Sequence, residues 1–116
     1  MANTAPHGSV RVANEVIASI AAMAAAEIDG VAGLDSAAAR QIGDWLKLRT
    51  AHHGVRVLVD QEQSIHLDVF ITVASGVRLP QAAANVQDNV VEAVERMLGL
   101  RVAEANVYVS AVSFTG

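Results

Sequence analysis

Cysteine is absent from this 116-residue chain, which removes disulfides, thiolate nucleophiles and cysteine-based zinc or iron sites at once. Aromatic residues make up only 3% of the chain, against 53% hydrophobic residues overall. The core must therefore be built from Val, Ile, Leu and much Ala, whose small side chains let neighbouring elements approach closely. Basic residues are few: eight Lys plus Arg, scattered at Arg11, Arg40, Lys47, Arg49, Arg56, Arg78, Arg96 and Arg101, leave a net charge of −4. Nucleic-acid binding needs a basic stripe, so no nucleic-acid partner is expected.

Long apolar runs are missing too. The most apolar stretch, Val16 to Ala26, is interrupted by Ser19 and closed by Glu27 and Asp29, well short of the ~20 residues that span a bilayer, so direct membrane insertion is not expected. Residues 1–8, which include Pro6, His7 and Gly8, carry neither a basic leader nor the apolar centre of a signal peptide. They read as a flexible lead-in to one domain over residues 9–116, with a cytoplasmic location as the default. A chain of this size can bury roughly 65% of the surface its unfolded form exposes, enough for one core.

The periodicities that are present describe an α+β domain. Ser9 to Val12 alternates like a short strand, and Asn14 is placed to cap a helix reaching about Glu27, with Val12, Val16, Ile20 and Ala24 as its apolar stripe, widened by Ile17, Ala21 and Met23 or Ile28. Gly30 to Leu34 suits a short edge strand. Ser36 is the expected cap of a second helix from Ala37 to about Leu48, ended by Thr50-Ala51-His52-His53-Gly54. Val55, Val57 and Val59, then Ile65, Leu67, Val69, Ile71 and Val73, alternate with polar positions around Gln61 to Ser64, the pattern of a hairpin with one apolar face.

Pro80 suits the first turn of a third helix with the stripe Val86, Val90, Val94 and Met97 or Leu98, and Gly99 followed by Leu100 fits its C-cap. Arg101 to Phe114 reads as a last strand whose alternation shifts phase after Val109, predicting a bulge or an end of pairing near Ser110-Ala111. The expected architecture is two to three helices packed on one face of a mixed sheet of three or more strands.

Chemistry is thin in this pattern. His52 and His53 beside Asp60 and Glu62 have the donor types of a zinc or manganese site, but adjacent histidines point apart, so solvated imidazoles at a turn are expected and no metal. His66 and Asp68 share a strand face two residues apart, which permits an acid–base pair; a polar sheet face explains them more simply. Gly30-Val31-Ala32-Gly33 has the spacing of a phosphate-clamping loop, yet Asp29 and Asp35 flank it. Phosphate-binding loops, dinucleotide fingerprints and nucleophile elbows are all absent, so no cofactor, no catalytic residue and no enzymatic activity are expected.

What remains is a surface. On the third helix Asn85, Gln87, Asp88, Asn89, Glu92, Glu95 and Arg96 lie away from the valine stripe, and they are the candidate partner-binding residues. The apolar content, high for one small core, together with an edge strand over Val102 to Phe114, predicts a homo-oligomer.

Six blocks, in order, carry a family resemblance: Val12-Ala13-Asn14-Glu15-Val16-Ile17 with Ile20-Ala21; Glu27-Ile28-Asp29-Gly30-Val31; Gly54-Val55-Arg56-Val57; Leu67-Asp68-Val69; Val86-Gln87 through Met97-Leu98-Gly99-Leu100; and Asn106-Val107-Tyr108-Val109. Together, over about residues 9 to 114, they resemble the alkaline shock protein family, the YloU-like envelope stress response proteins of Gram-positive and related bacteria. That resemblance implies a non-catalytic cytoplasmic scaffold, held peripherally at the inner membrane by a separate membrane-anchor protein and able to self-associate. The chain departs from the family in its short ends and in Ala74-Ser75, where an aromatic is common before the glycine. Those departures leave open the alternative of a regulatory binding module for a cytoplasmic enzyme, one of lipid metabolism for instance.

Overall fold

The computed structural model describes residues 11–41 and 50–114. Its elements run α1 (Asn14–Ala26), β1 (Val31–Leu34), α2 (Ser36–Gln41), β2 (Thr50–His52), β3 (Val55–Val59), β4 (Ile65–Ala74), α3 (Leu79–Leu98) and β5 (Val102–Ser113). Most of the strand expected from Ser9, and the helix beyond Gln41, lie outside the described residues.

β4 organises the sheet because its residues are used on both edges. Its even positions bond one way: Phe70 N–H donates to the Gly54 carbonyl (3.0 Å) and Ala74 N–H to that of Gly30 (2.8 Å). Along that edge β3 and β1 pair antiparallel with successive parts of β4, and β2 continues the sheet beyond β3. Its odd positions bond the other way, Ile65 N–H to the Arg101 carbonyl and Ser75 N–H to the Ser113 carbonyl, both at 2.8 Å, where β5 runs parallel. A parallel neighbour needs a crossover, and α3 is that crossover. The sheet is thus mixed, with five strands.

One face of the sheet carries the core. Val55 and Val57 of β3 and Ile65, Leu67, Val69, Ile71 and Val73 of β4 are fully buried in one cluster with the inner faces of α1 and α3. On α3 the expected valines Val86, Val90 and Val94 are fully buried, each contributing roughly 1.5–3 kcal/mol. Leu98 packs on the core, while Met97 stays exposed.

On α1 the buried residues are Ile17, Ala18, Ile20, Ala21, Ala24 and Ala25, and Val12 and Ile28 pack against the core, so the expected stripe holds except at Val16, 47% exposed, and at Met23, the alternative to Ile28, 51% exposed. Ala18 and Ala25 join that face and Val16 does not, because Ala-rich faces differ little in hydrophobicity and small side chains permit the closer approach.

The helix ends also differ from expectation. Ala13, not Asn14, is the N-cap of α1. Asp35 rather than Ser36 caps α2, its Oδ1 accepting from Ala38 N–H at 3.0 Å. The third helix follows the sequence: proline sits in its first turn and Gly99 closes it at φ 68°, its N–H donating to the Glu95 carbonyl.

Thr50-Ala51-His52, expected only as a helix breaker, is the edge strand β2, paired with β3 in the register His52 opposite Val55. His53 and Gly54, at φ 56° and 83°, make the two-residue turn between them, a geometry whose twist matches that of the strands.

Candidate functional site

The sheet's second face is built by register. In a parallel ladder, residues aligned across the strands project side by side. Three such pairs follow one another on β4 and β5: His66 beside Glu104, Asp68 beside Asn106, and Phe70 beside Tyr108. Each is in contact. His66 Nδ1 lies 2.8 Å from Glu104 Oε1; Asn106 Nδ2 donates to Asp68 Oδ1 at 3.1 Å and to Glu104 Oε2 at 2.9 Å; and the Phe70 and Tyr108 rings stack with centroids 4.9 Å apart.

The ladder extends at both ends and to the side. His66 Nε2 lies 2.8 Å from Asp60 Oδ2, in the turn where Asp60 Oδ1 also accepts from Glu62 and Ser64 N–H at 2.9 Å. At the far end Ser110 Oγ donates to Asp35 Oδ2 at 2.7 Å. Arg56 of β3, aligned with Asp68, puts its guanidinium 4.0 Å from Asp68 Oδ2. Both residues are only 3% exposed.

The electrostatics follow from the contacts. Hydrogen bonds to Asp60 and then Glu104, outweighing desolvation, hold the His66 imidazolium above its ordinary pKa. The same bond to His66, with help from the Ser64 and Glu62 amides, lowers that of Asp60. Asp35 is lowered by the Ala38 amide and then by the Ser110 hydroxyl.

The acid–base pair allowed by His66 and Asp68 does not form: each is bonded to other residues. His53 lies 3.7 Å from Glu15 instead. Among the described residues no three His, Asp or Glu are grouped to hold a metal ion. The signal for the ladder was in the sequence, as His66-x-Asp68-x-Phe70 and Glu104-x-Asn106-x-Tyr108 have the same polar-polar-aromatic spacing.

The candidate partner-binding residues of α3 divide. Gln87 Nε2 donates to the Ala105 carbonyl (2.7 Å) and Glu95 Oε2 accepts from Val102 N–H (2.9 Å), so both tie the helix to β5. Asn89 turns the other way, donating to the Ala24 carbonyl at 2.7 Å and to Glu27 at 3.1 Å, which satisfies a carbonyl of the last turn of α1. Asn85 lies apart, beside Asp29, Arg78 and Gln81, and Arg96 is exposed.

Between α3 and β5 runs a groove of about 430 Å³, lined by Gln87, Asp88, Val91, Glu92 and Glu95 from the helix and Val102, Ala103, Glu104 and Ala105 from the strand. Its apolar residues come from both elements, its acidic residues are Asp88, Glu92, Glu95 and Glu104, and no Lys or Arg lines it. Among the described residues no helix is long and apolar enough to cross a membrane.

Known proteins resemble this chain in sequence or in fold. It is 38% identical over 112 residues to the uncharacterized protein YloU of Bacillus subtilis (strain 168), covering 94% of this chain and 92% of that protein. With the uncharacterized protein YqhY of the same organism it shares 35% identity over 108 residues, 92% of this chain and 78% of the relative. Among solved structures, a variant of the MamM CTD superposes with a TM-score of 0.53 at 22% identity, covering 84% of this chain and 94% of that one, a likeness of fold alone. The pattern of the alkaline shock protein family, described as having a cell envelope-related function, matches residues 2–114, and the chain belongs to that family.

Proposed function

We propose that the protein is a non-catalytic scaffold that acts at the cytoplasmic side of the cell envelope by binding a membrane-anchor protein through the outer face of α3, and by binding further copies of itself. The observation that carries this reading is the α3–β5 groove, whose lining combines the apolar Val91, Val102, Ala103 and Ala105 with four acidic residues and no Lys or Arg and so complements a cytoplasmic anchor segment with Lys or Arg around an apolar centre. The family's cell envelope-related description supports the location. The bonding of His66, Asp60, Glu104 and Asn106 to one another supports the absence of catalysis, because these polar groups stabilise the sheet.

The experiment is localisation and capture in the native host. A tagged protein is expected at the cell periphery and recovered with a membrane protein, and the charge reversals Asp88→Lys and Glu92→Lys together are expected to release it to the cytoplasm with its fold intact. Uniform cytoplasmic signal for the unaltered protein, with a soluble enzyme as the captured partner, would replace this reading by that of a regulatory module for the enzyme.

A further inference from the structure

We infer that the C-terminal half of β5 is the self-association surface, joining two copies by antiparallel pairing of their β5 edges about a two-fold axis. This deepens the self-association proposed above and rests on it. The inference begins with the backbone. Odd positions of β4 bond to β5, so in the parallel register of Val69 with Val107, Ile71 with Val109 and Val73 with Val112 the flanking residues of β5 make the bonds. Val107, Val109 and Val112 therefore turn their own amides and carbonyls to the outer edge.

The N-terminal half of that edge is already covered by α3. Glu95 accepts the outward Val102 amide, and Gln87 donates to the outward Ala105 carbonyl. The hydrogen bonds that tie α3 to the strand fall at Val102 and Ala105, and among the described residues β4 is the one strand paired with it.

The usual guards of an edge, namely charge and proline, are absent: Ala105 to Phe114 contains no Asp, Glu, Lys, Arg or Pro. Three of the exposed large apolar side chains, Tyr108, Val112 and Phe114, lie in this stretch, Phe114 being 81% exposed.

A second copy is the occupant that fits. The chain is acidic, at −4, and its α3 face repels its own kind, whereas this stretch is neutral and complements itself. Aligning Val107 of one copy with Val109 of the other satisfies the outward amides and carbonyls of both residues in each chain. It also sets Tyr108 opposite its own counterpart in a non-hydrogen-bonded pair, with Cα atoms about 4.5 Å apart.

Two variants of the full chain test this, with light scattering and cross-linking as readouts. The unaltered protein is expected at twice its 12.1 kDa mass at tens of micromolar. Val109→Pro removes an outward N–H that β4 does not use, so it is expected to give a monomer with the far-ultraviolet spectrum preserved. Because the chain has no cysteine, Tyr108→Cys places one thiol on the two-fold axis, within disulfide reach of its copy. It is expected to form a covalent dimer at least tenfold faster than the exposed control Gln61→Cys.

A 12.1 kDa species for the unaltered protein would overturn self-association altogether. A dimer that survives Val109→Pro, or equal cross-linking by the two cysteine variants, would overturn this surface alone. Recovery of a membrane anchor through α3 is scored separately and is unaffected by either result.

Discussion

His66 and Glu104, 38 positions apart in the chain, are joined at 2.8 Å through Nδ1 while Nε2 of the same ring meets Asp60 at 2.8 Å. A neutral imidazole has one N–H and cannot donate to both carboxylates, so the clamp between the β3–β4 turn and β5 is complete only in the imidazolium form.

This fixes the sign of the pH dependence. The folded-state pKa of His66 is raised above 6.5, so its stabilisation is full below about pH 6.5 and is lost as pH rises through the raised value. Asp60 is lowered below 3.8, so its contribution is present above that pH and is lost as pH falls through the depressed value. Thermal midpoints are expected to be highest between these limits and to fall on the alkaline side, and His66→Gln is expected to flatten that alkaline fall. An unchanged slope in His66→Gln would remove His66 as its cause.

Arg56 and Asp68, each only 3% exposed, predict a contrast between single and double variants. Asp68→Ala leaves a guanidinium buried without its carboxylate, and a loss of about 3–5 kcal/mol is expected. Replacing both by apolar residues, Arg56→Met with Asp68→Leu, is expected to cost less than either single change, because no charge is then stranded. Urea unfolding of Asp68→Ala, of Arg56→Met and Asp68→Leu singly and of the double variant measures this, and additive losses would refute it.

The sequence revealed what is local and hid what is not. The hairpin, the valine face of α3, the Gly99 cap and the bulge at Ser110, where Ile71 and Thr72 pair with Val109 and Ala111, all follow from spacing within a single element. Most of the α1 stripe is legible too, but Val16 lies outside the buried face while Ala18 and Ala25 lie in it, because alternative stripes through Ala differ little in burial energy and the approach of α3 decides among them. β2 was hidden because His53-Gly54 is a less familiar pair for a turn with two positive φ values than Asn-Gly. On the second sheet face, the acid–base possibility at His66 and Asp68 required knowing that β5, not a solvent layer, lies beside β4. A parallel alignment closed by a 20-residue helix is invisible to any local window.

Two glycines with left-handed backbones separate conformational strain from steric collision. At Gly99, φ is 68° and an added Cβ meets nothing within 4 Å, so Gly99→Ala is expected to cost only about 1–2 kcal/mol. At Gly54, φ is 83° and the Cβ would lie 2.8 Å from Leu34 Cβ and 3.1 Å from Asp35 N. Backbone strain and overpacking then combine, and a loss of about 2–5 kcal/mol is expected for Gly54→Ala. Denaturant midpoints at fixed pH give the comparison, and equal costs would mean that the β1–α2 junction yields to the new methyl.

Adjacent residues of α3 separate folding from recognition. Asn89 carries hydrogen bonds to Ala24 and Glu27 across to α1, so Asn89→Ala is expected to lower stability by about 1–2 kcal/mol. Asp88 and Glu92 are exposed and one helical turn apart, where like charges repel by a few tenths of a kcal/mol. Asp88→Ala and Glu92→Ala are therefore expected to leave stability within about 0.5 kcal/mol or raise it slightly, while weakening capture of the membrane anchor in salt-dependent fashion. Urea titration and native capture, run on the same three proteins, make the distinction. If Asn89→Ala alone lost the partner at full stability, the recognition surface would lie on the α1 side of the helix, and the α3–β5 groove would no longer account for binding.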